Sequence, residues 1–228
     1  MTALDNATLR AATGAANGEQ DRRAEIYRSA ARIFHRKGYH ATSINDIAAA
    51  VGLTKAGLYY YIKGKQDLLF AIMGFAMDQL DEQVIEPARR VQDPQTRLAT
   101  IVARHARLIT QDSSALTILV NELEGLLPDD RADIIGRQRD YVDFIADTLA
   151  ALRDEGKVVG LDPTVGAFSL VGMILWISRW YRADGRLDGD EVVAEVTRMA
   201  ISAVLNRSED SNAGSPARTG QPAKETRE

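Results

Sequence analysis

Residues 42–65 read TSINDIAAAVGLTKAGLYYYIKGK, and the fold turns on how this stretch divides. Ile44, Ile47, Ala48 and Val51 recur at i, i+3, i+4 and i+7, the spacing of one helix face, behind Thr42 as N-cap. A second short helix is predicted over Lys55 to Tyr61, and only Gly52-Leu53-Thr54 separates the two. Neither is long enough to persist alone, because nucleation costs more than one or two turns return. Together they read as a helix-turn-helix. Gly52 supplies the turn, Thr54 caps the second helix, and Ile47, Ala48, Val51, Leu53, Leu58 and Ile62 form the apolar seam. The second helix then turns Lys55, Ala56, Tyr59, Tyr60 and Lys63 away from that seam. Small residues at its start allow close approach to base edges, while tyrosine hydroxyls and lysines reach phosphates or bases. The alternative is a plain helical hairpin with packed tyrosines, but three consecutive tyrosines cannot share one core face.

Working outward, Ile26, Ala30, Ile33 and Phe34 mark a preceding helix that Gly38 closes. Residues 21–66 carry nine Lys/Arg (Arg22, Arg23, Arg28, Arg32, Arg36, Lys37, Lys55, Lys63, Lys65) against three acids (Asp21, Glu25, Asp46), a net +6 in a chain of net −4. A basic head on an acidic body is the footprint of a small polyanion-binding domain, with a solvated basic helix face as the alternative. Downstream, helices are expected over Leu68 to about Val91, Gln95–Gln111, Ser114–Leu127, Asp129–Arg153, Pro163–Tyr181 and Gly189–Asn206. Asp162-Pro163 gives an N-cap and first-turn proline, Asp188 and Glu191 a capping box, and Gly156 and Gly185 suit helix C-termini. With no alternating strand pattern, the chain reads as all-α. The segments 1–20 and 207–228 are small, polar and poor in large apolar residues, and are expected to be disordered tails. They flank a head at 21–66 and a body at 67–206.

Several classes are excluded. The absence of cysteine removes disulfides, thiolate nucleophiles and Cys-based metal sites, and fits a cytoplasmic protein. His35, His40 and His105 lack metal-ligand spacing and are expected in surface or cap roles. There is no P-loop, no Gly-x-Gly-x-x-Gly after a strand and no Gly-x-Ser-x-Gly, so no enzyme and no resident cofactor is expected. The longest apolar run, Val165 to Ile177, is shorter than the about 20 residues of a bilayer span, and Arg179 closely follows it. No membrane partner and no secretory signal are expected.

The stretch RRAEIYRSAARIFHRKGYHATSINDIAAAVGLTKAGLYYYIKGKQDLLFAI, residues 22–72, resembles the N-terminal DNA-binding domain of TetR-type transcriptional regulators. The resemblance implies that Thr42, Ser43, Tyr59 and Lys65 position phosphates. It likewise implies that Asn45, Lys55, Ala56, Gly57, Tyr60 and Tyr61 face the bases of double-stranded operator DNA. Ile62 stands where the family often has Phe, and Asn45 where Arg is frequent.

It also implies a helical body that binds a small-molecule effector and forms a homodimer. Residues 163–181 are apolar nearly all round, which calls for cover on every side, and with the amphipathic helix 190–205 they are expected to form a two-fold interface. Gly166, Ala167, Ser169 and Gly172 would allow close approach there. The segments 122–158 and 172–192 are similar to the C-terminal domain of TetR-family regulators of fatty-acid and sterol-ring degradation, which implies an acyl-CoA effector. An unrelated hydrophobic ligand, as in efflux-type regulators, stays open. Arg137, Arg139, Arg179 and Arg182 are available to an anionic head group, and Phe144, Met173, Trp176 and Trp180 to an apolar part.

Overall fold

The computed structural model describes residues 3–205, with side chains from Gly18 onward. The expected 207–228 tail lies outside the described residues. Among the described residues the chain is helical without strands: α1 (Ala3–Lys37), α2 (Ile44–Ala50), α3 (Lys55–Tyr59), α4 (Lys65–Leu80), α5 (Glu86–Arg89), α6 (Pro94–Asp112), α7 (Ser114–Asn121), α8 (Pro128–Asp154), α9 (Pro163–Trp180) and α10 (Gly189–Val204). None of these helices is long and apolar enough to cross a membrane.

The first difference from the sequence reading is at the N-terminus. The structure carries α1 back to Ala3, where a disordered tail over 1–20 was expected. Once residues 26–34 are anchored by packing, each added residue extends an existing helix without a new nucleus, and the alanines between 3 and 16 favour that extension.

α1 to α3 pack around Ile26, Phe34, Ile47, Val51, Leu58 and Ile62, all buried. Gly38 (φ 84°) and Gly52 (φ 66°) take the left-handed conformation that closes α1 and turns α2 into α3. The cap of α2 falls one residue later than expected. Ser43 accepts from the Asp46 amide (3.2 Å) while the Asp46 carboxylate accepts from the Ser43 amide (2.9 Å), completing a reciprocal box that Thr42 does not enter.

α4 links head to body. Its continuation is not the single uninterrupted helix expected to Val91. It widens into a π-helical turn at Asp81–Ile85 before α5. Pro87 has no N–H to donate back along the helix, and the Arg104 guanidinium donates instead to the Gln83 carbonyl (3.1 Å). α7 likewise ends at Asn121, short of Leu127, and Leu123–Gly125 forms a single 3₁₀ turn. Gly125 lies so close to Tyr39 and Leu69 that a Cβ there would sit 2.8 Å from Leu69 Cδ2, so this turn is where body meets head.

The body packs α6 against α8, α9 and α10, with α7 beneath α1 and α4. α10 begins with the expected Asp188–Glu191 box. Gly156 closes α8 with a positive φ, but Gly185 does not, and instead lies in a tight turn with its amide on the Arg182 carbonyl (2.9 Å).

Candidate functional site

Two regions carry chemistry. On the head, Lys55, Ala56, Tyr59, Tyr60 and Lys63 are all exposed on one side of α3 and its exit, with Asn45 exposed on α2. Leu58 behind them is fully buried, so the face is pinned by the core. Thr54 caps α3 by accepting from the Gly57 amide (3.0 Å). Tyr60 is 70% exposed, a large amphipathic ring held out from the surface and backed only at its edge by the Tyr61 ring at 5.0 Å. Asp46 bonds the Lys37 ammonium (2.8 Å) and Ser43, which hold its carboxyl well below the usual carboxylate range and keep the α2 box ionised.

Three residues expected at DNA sit differently. Thr42 is buried and its hydroxyl donates to the Gly38 carbonyl (2.8 Å), so it closes the α1–α2 turn rather than reaching a phosphate. Tyr61 turns back toward α1, with the Arg23 guanidinium 5.6 Å from its ring centre and donating to its carbonyl (3.3 Å). Lys65 is half-buried over the Tyr39 ring (4.3 Å) and donates to the His40 carbonyl (3.2 Å). The basic surplus is partly structural as well. Arg22 donates to the Val51 carbonyl (2.9 Å) and Arg32 pairs with Asp112 (3.3 Å), leaving Lys55 and Lys63 as the lysines of the outward face.

In the body, α4, α6, α7, α8 and α9 line a mostly apolar cavity of about 320 Å³ that opens beside the exposed Val120 and Phe168. Leu116, Leu119, Val142, Phe168 and Leu175 give its apolar lining, and His105, Gln138 and Tyr141 its polar groups. Two smaller hollows of about 180 Å³ each adjoin it. One shares Leu116, Val120, Gly172 and Leu175 and adds Trp176 and Arg179; the other shares Gln138, Val142 and Phe168 and adds Arg139. The result is a trough with an apolar centre and a guanidinium toward either end.

Of the expected ligand residues, Arg139, Trp176 and Arg179 thus lie along this trough. The others do not. Arg137 donates to Asp78 (2.8 Å), Asp81 (2.6 Å) and the Gly74 carbonyl (3.3 Å), tying α8 to α4. Phe144 faces Arg89 (5.7 Å) near α5, and Met173 packs against the core outside these hollows. Trp180 borders a separate hollow with Arg182 and Leu187.

His105 is a further correction: far from a surface or cap role, it is 1% exposed, with Nδ1 2.8 Å from the Tyr141 hydroxyl. Burial pushes its pKa down to about 4 and pushes that of the Tyr141 phenol up. Both are therefore neutral near pH 7. The register was visible: Leu98, Ile101, Val102, His105, Ala106 and Ile109 trace one apolar face of α6. No group of three or more potential metal ligands occurs among the described residues.

The outward face of α9 carries exposed Val165, Phe168, Trp176 and Trp180, with Met199 exposed on α10. Ser169 and Gly172 share that outward side, but Gly166 and Ala167 are buried, Gly166 against Leu149 and Leu161. Val192, Val193, Val196, Ala200 and Val204 are buried too, on the side of α10 packed against α6, so they belong to the protomer's own core rather than to an interface.

An all-helical chain with a helix-turn-helix head and a cavity-bearing helical body is the architecture of a one-component transcriptional regulator. Residues 26–72 match the bacterial regulatory proteins of the tetR family, and residues 91–204 match the tetracyclin repressor-like C-terminal domain. The chain belongs to the TetR family of DNA-binding transcriptional regulators, not to an enzyme family. It is similar to AibR, solved in complex with isovaleryl coenzyme A and operator DNA, at 38% identity and a TM-score of 0.72, covering 78% of this chain and 97% of that one. Relatives include the transcriptional repressor KstR2 of Rhodococcus jostii (24% identical over 83% of this chain and 94% of the relative). Another is the fatty acid metabolism regulator protein of Bacillus subtilis (22%, over 80% and 95%).

Proposed function

We propose that this regulator is a cytoplasmic repressor that binds a near-palindromic operator as a homodimer and leaves it when an acyl-CoA occupies the body. The head, residues 21–66, would read successive major grooves with α3, and the body, 67–206, would hold the effector and the partner. The observation that carries the reading is the trough itself. An apolar centre suits an acyl group, and Arg139 or Arg179 suits the anionic part left outside. At about 320 Å³ the centre lies at the small end of ligand cavities, which favours a short, branched or cyclic acyl group over an extended long chain. The exposed apolar stripe on α9 supports the dimer, since a contiguous patch of that kind needs cover. Phe168 and Gly172 belong to both stripe and cavity, so effector and partner would be coupled through the same helix.

Induction requires differential affinity for the DNA-competent and released states, at about 1.4 kcal/mol for each tenfold of release. Calorimetry with short and long acyl-CoAs, their free acids and free CoA tests the reading. Binding of a thioester with the free acid and free CoA each much weaker is expected. Silence of every thioester contradicts it. One observation favours a second reading: among the described residues no cation lines the central cavity, as suits an uncharged hydrophobic ligand, and heat from such a compound with none from any thioester would select it.

A further inference from the structure

The central cavity is apolar except for three side chains, and one fully buried polar atom among them has no hydrogen-bond partner among the described residues. The Gln138 amide donates to the Leu119 carbonyl (3.3 Å), which ties it to α7. The Tyr141 hydroxyl has His105 Nδ1 as its hydrogen-bond partner at 2.8 Å, with the two rings edge-on at 5.5 Å. His105 Nε2 is buried without a partner among the described residues.

The hydrogen-bond network assigns the tautomer. A buried phenol hydrogen needs an acceptor, and Nδ1 is the one within reach. If Nδ1 carried the imidazole proton instead, the phenol hydrogen and the Nε2 lone pair would both be stranded. With Tyr141 donating to Nδ1, only the Nε2 hydrogen is unmet. An unmet buried donor beside an apolar cavity is costly while no acceptor reaches it, and selective for a ligand that brings one.

We propose that His105 is the specificity-determining residue of the effector cavity, donating its Nε2–H to a carbonyl oxygen on the acyl part of the ligand, with Tyr141 as the positioning residue that fixes the tautomer. A thioester carbonyl and a ketone on the chain offer the same acceptor. The inference rests on the effector reading in that it takes this cavity as the binding site. Burial also lowers the affinity of the imidazole for a second proton, which keeps the site a neutral donor near pH 7.

The test compares isovaleryl-CoA with S-isopentyl-CoA, the thioether in which CH₂ replaces C=O. The wild-type chain should bind the thioester about tenfold more tightly, the worth of one buried hydrogen bond, and His105→Leu should bind the two alike. Tyr141→Phe keeps the ring, frees the tautomer, and should give a smaller ratio than wild type. A second readout needs no variant: the nitrogen-15 resonance of His105 Nε2 in the wild-type chain should move with isovaleryl-CoA and with 4-methylpentan-2-one, but not with 2-methylpentane. If isovaleryl-CoA binds while the thioester-to-thioether ratio is one and the resonance stays still, the role of His105 is overturned and the acyl-CoA reading stands. If no thioester binds but the ketone moves the resonance, the His105 role stands and the acyl-CoA reading falls. A still resonance with every probe, with no thioester bound, overturns both.

Discussion

The head and the body treat their polar groups in opposite ways. In the head, the groups that set the recognition helices are closed among themselves. Ser43 and Asp46 satisfy each other, Thr54 caps α3, and Arg22 and Arg23 spend guanidinium donors on the Val51 and Tyr61 carbonyls. What remains outward, from Asn45 through Lys63, is backed by a satisfied frame. In the body, the polar pair at the cavity is buried and one acceptor short. A rigid exposed face suits a partner as invariant in shape as a DNA groove. An incomplete buried pair suits a ligand that comes and goes.

The sharpest way to break this comparison is through the helix the two functions share. Gly172 has open space beyond its Cα, so Gly172→Glu should leave the protomer folded while setting a charge in the α9 face. Light scattering should then give half the wild-type mass, and operator affinity should fall by roughly a hundredfold or more as two-headed binding is lost. A normal dimer mass would remove α9 from the interface.

The buried imidazole makes a pH prediction. With a native pKa of about 4 against an ordinary 6.5, the unfolded chain binds more protons between those values, so stability rises with pH across that window. Going from pH 7 down to 4 should cost the wild type about 3 kcal/mol from this group, with the loss levelling off about one unit lower. Urea unfolding at several pH values should show that increment missing in His105→Leu. Equal pH slopes in both proteins would place the imidazole in water.

On the head, Tyr60→Ala should cost about 1–3 kcal/mol of operator binding and change base preference, read by gel shift over a set of operator variants. Lys63→Ala should weaken all sequences alike and reduce the salt slope by about one. Uniform loss for both variants would mean that Tyr60 touches only the backbone. The smallest effect concerns the frame: Ser43→Ala should lower stability by about 1 kcal/mol through the lost cap, measured by thermal unfolding.

The same contrast explains what could be read from sequence. The head is built from contacts a few residues apart, so the α2–turn–α3 unit, its seam and its outward face follow from local spacing. One failure there is also local, and another is not. Thr42 and Ser43 are both plausible caps, and Asp46, three residues after Ser43, is what decides between them. Tyr61 was separable from Tyr60 only through Arg23, on another helix. The cavity depends on packing between distant segments, as with His105 and Tyr141, and no spacing rule joins them. Arg137 shows the reverse error, an arginine suited to an anionic ligand but already held by Asp78 and Asp81.

The most direct measurement is operator affinity by fluorescence anisotropy, using the DNA upstream of the chain's own coding region, with and without saturating isovaleryl-CoA, paired with isovaleryl-CoA affinity with and without that DNA. The account predicts that each ligand weakens the other by the same factor, tenfold or more, because both act on one two-state equilibrium. Tight binding of both with a coupling factor of one would contradict it, leaving a DNA-binding head and an occupied body that do not communicate.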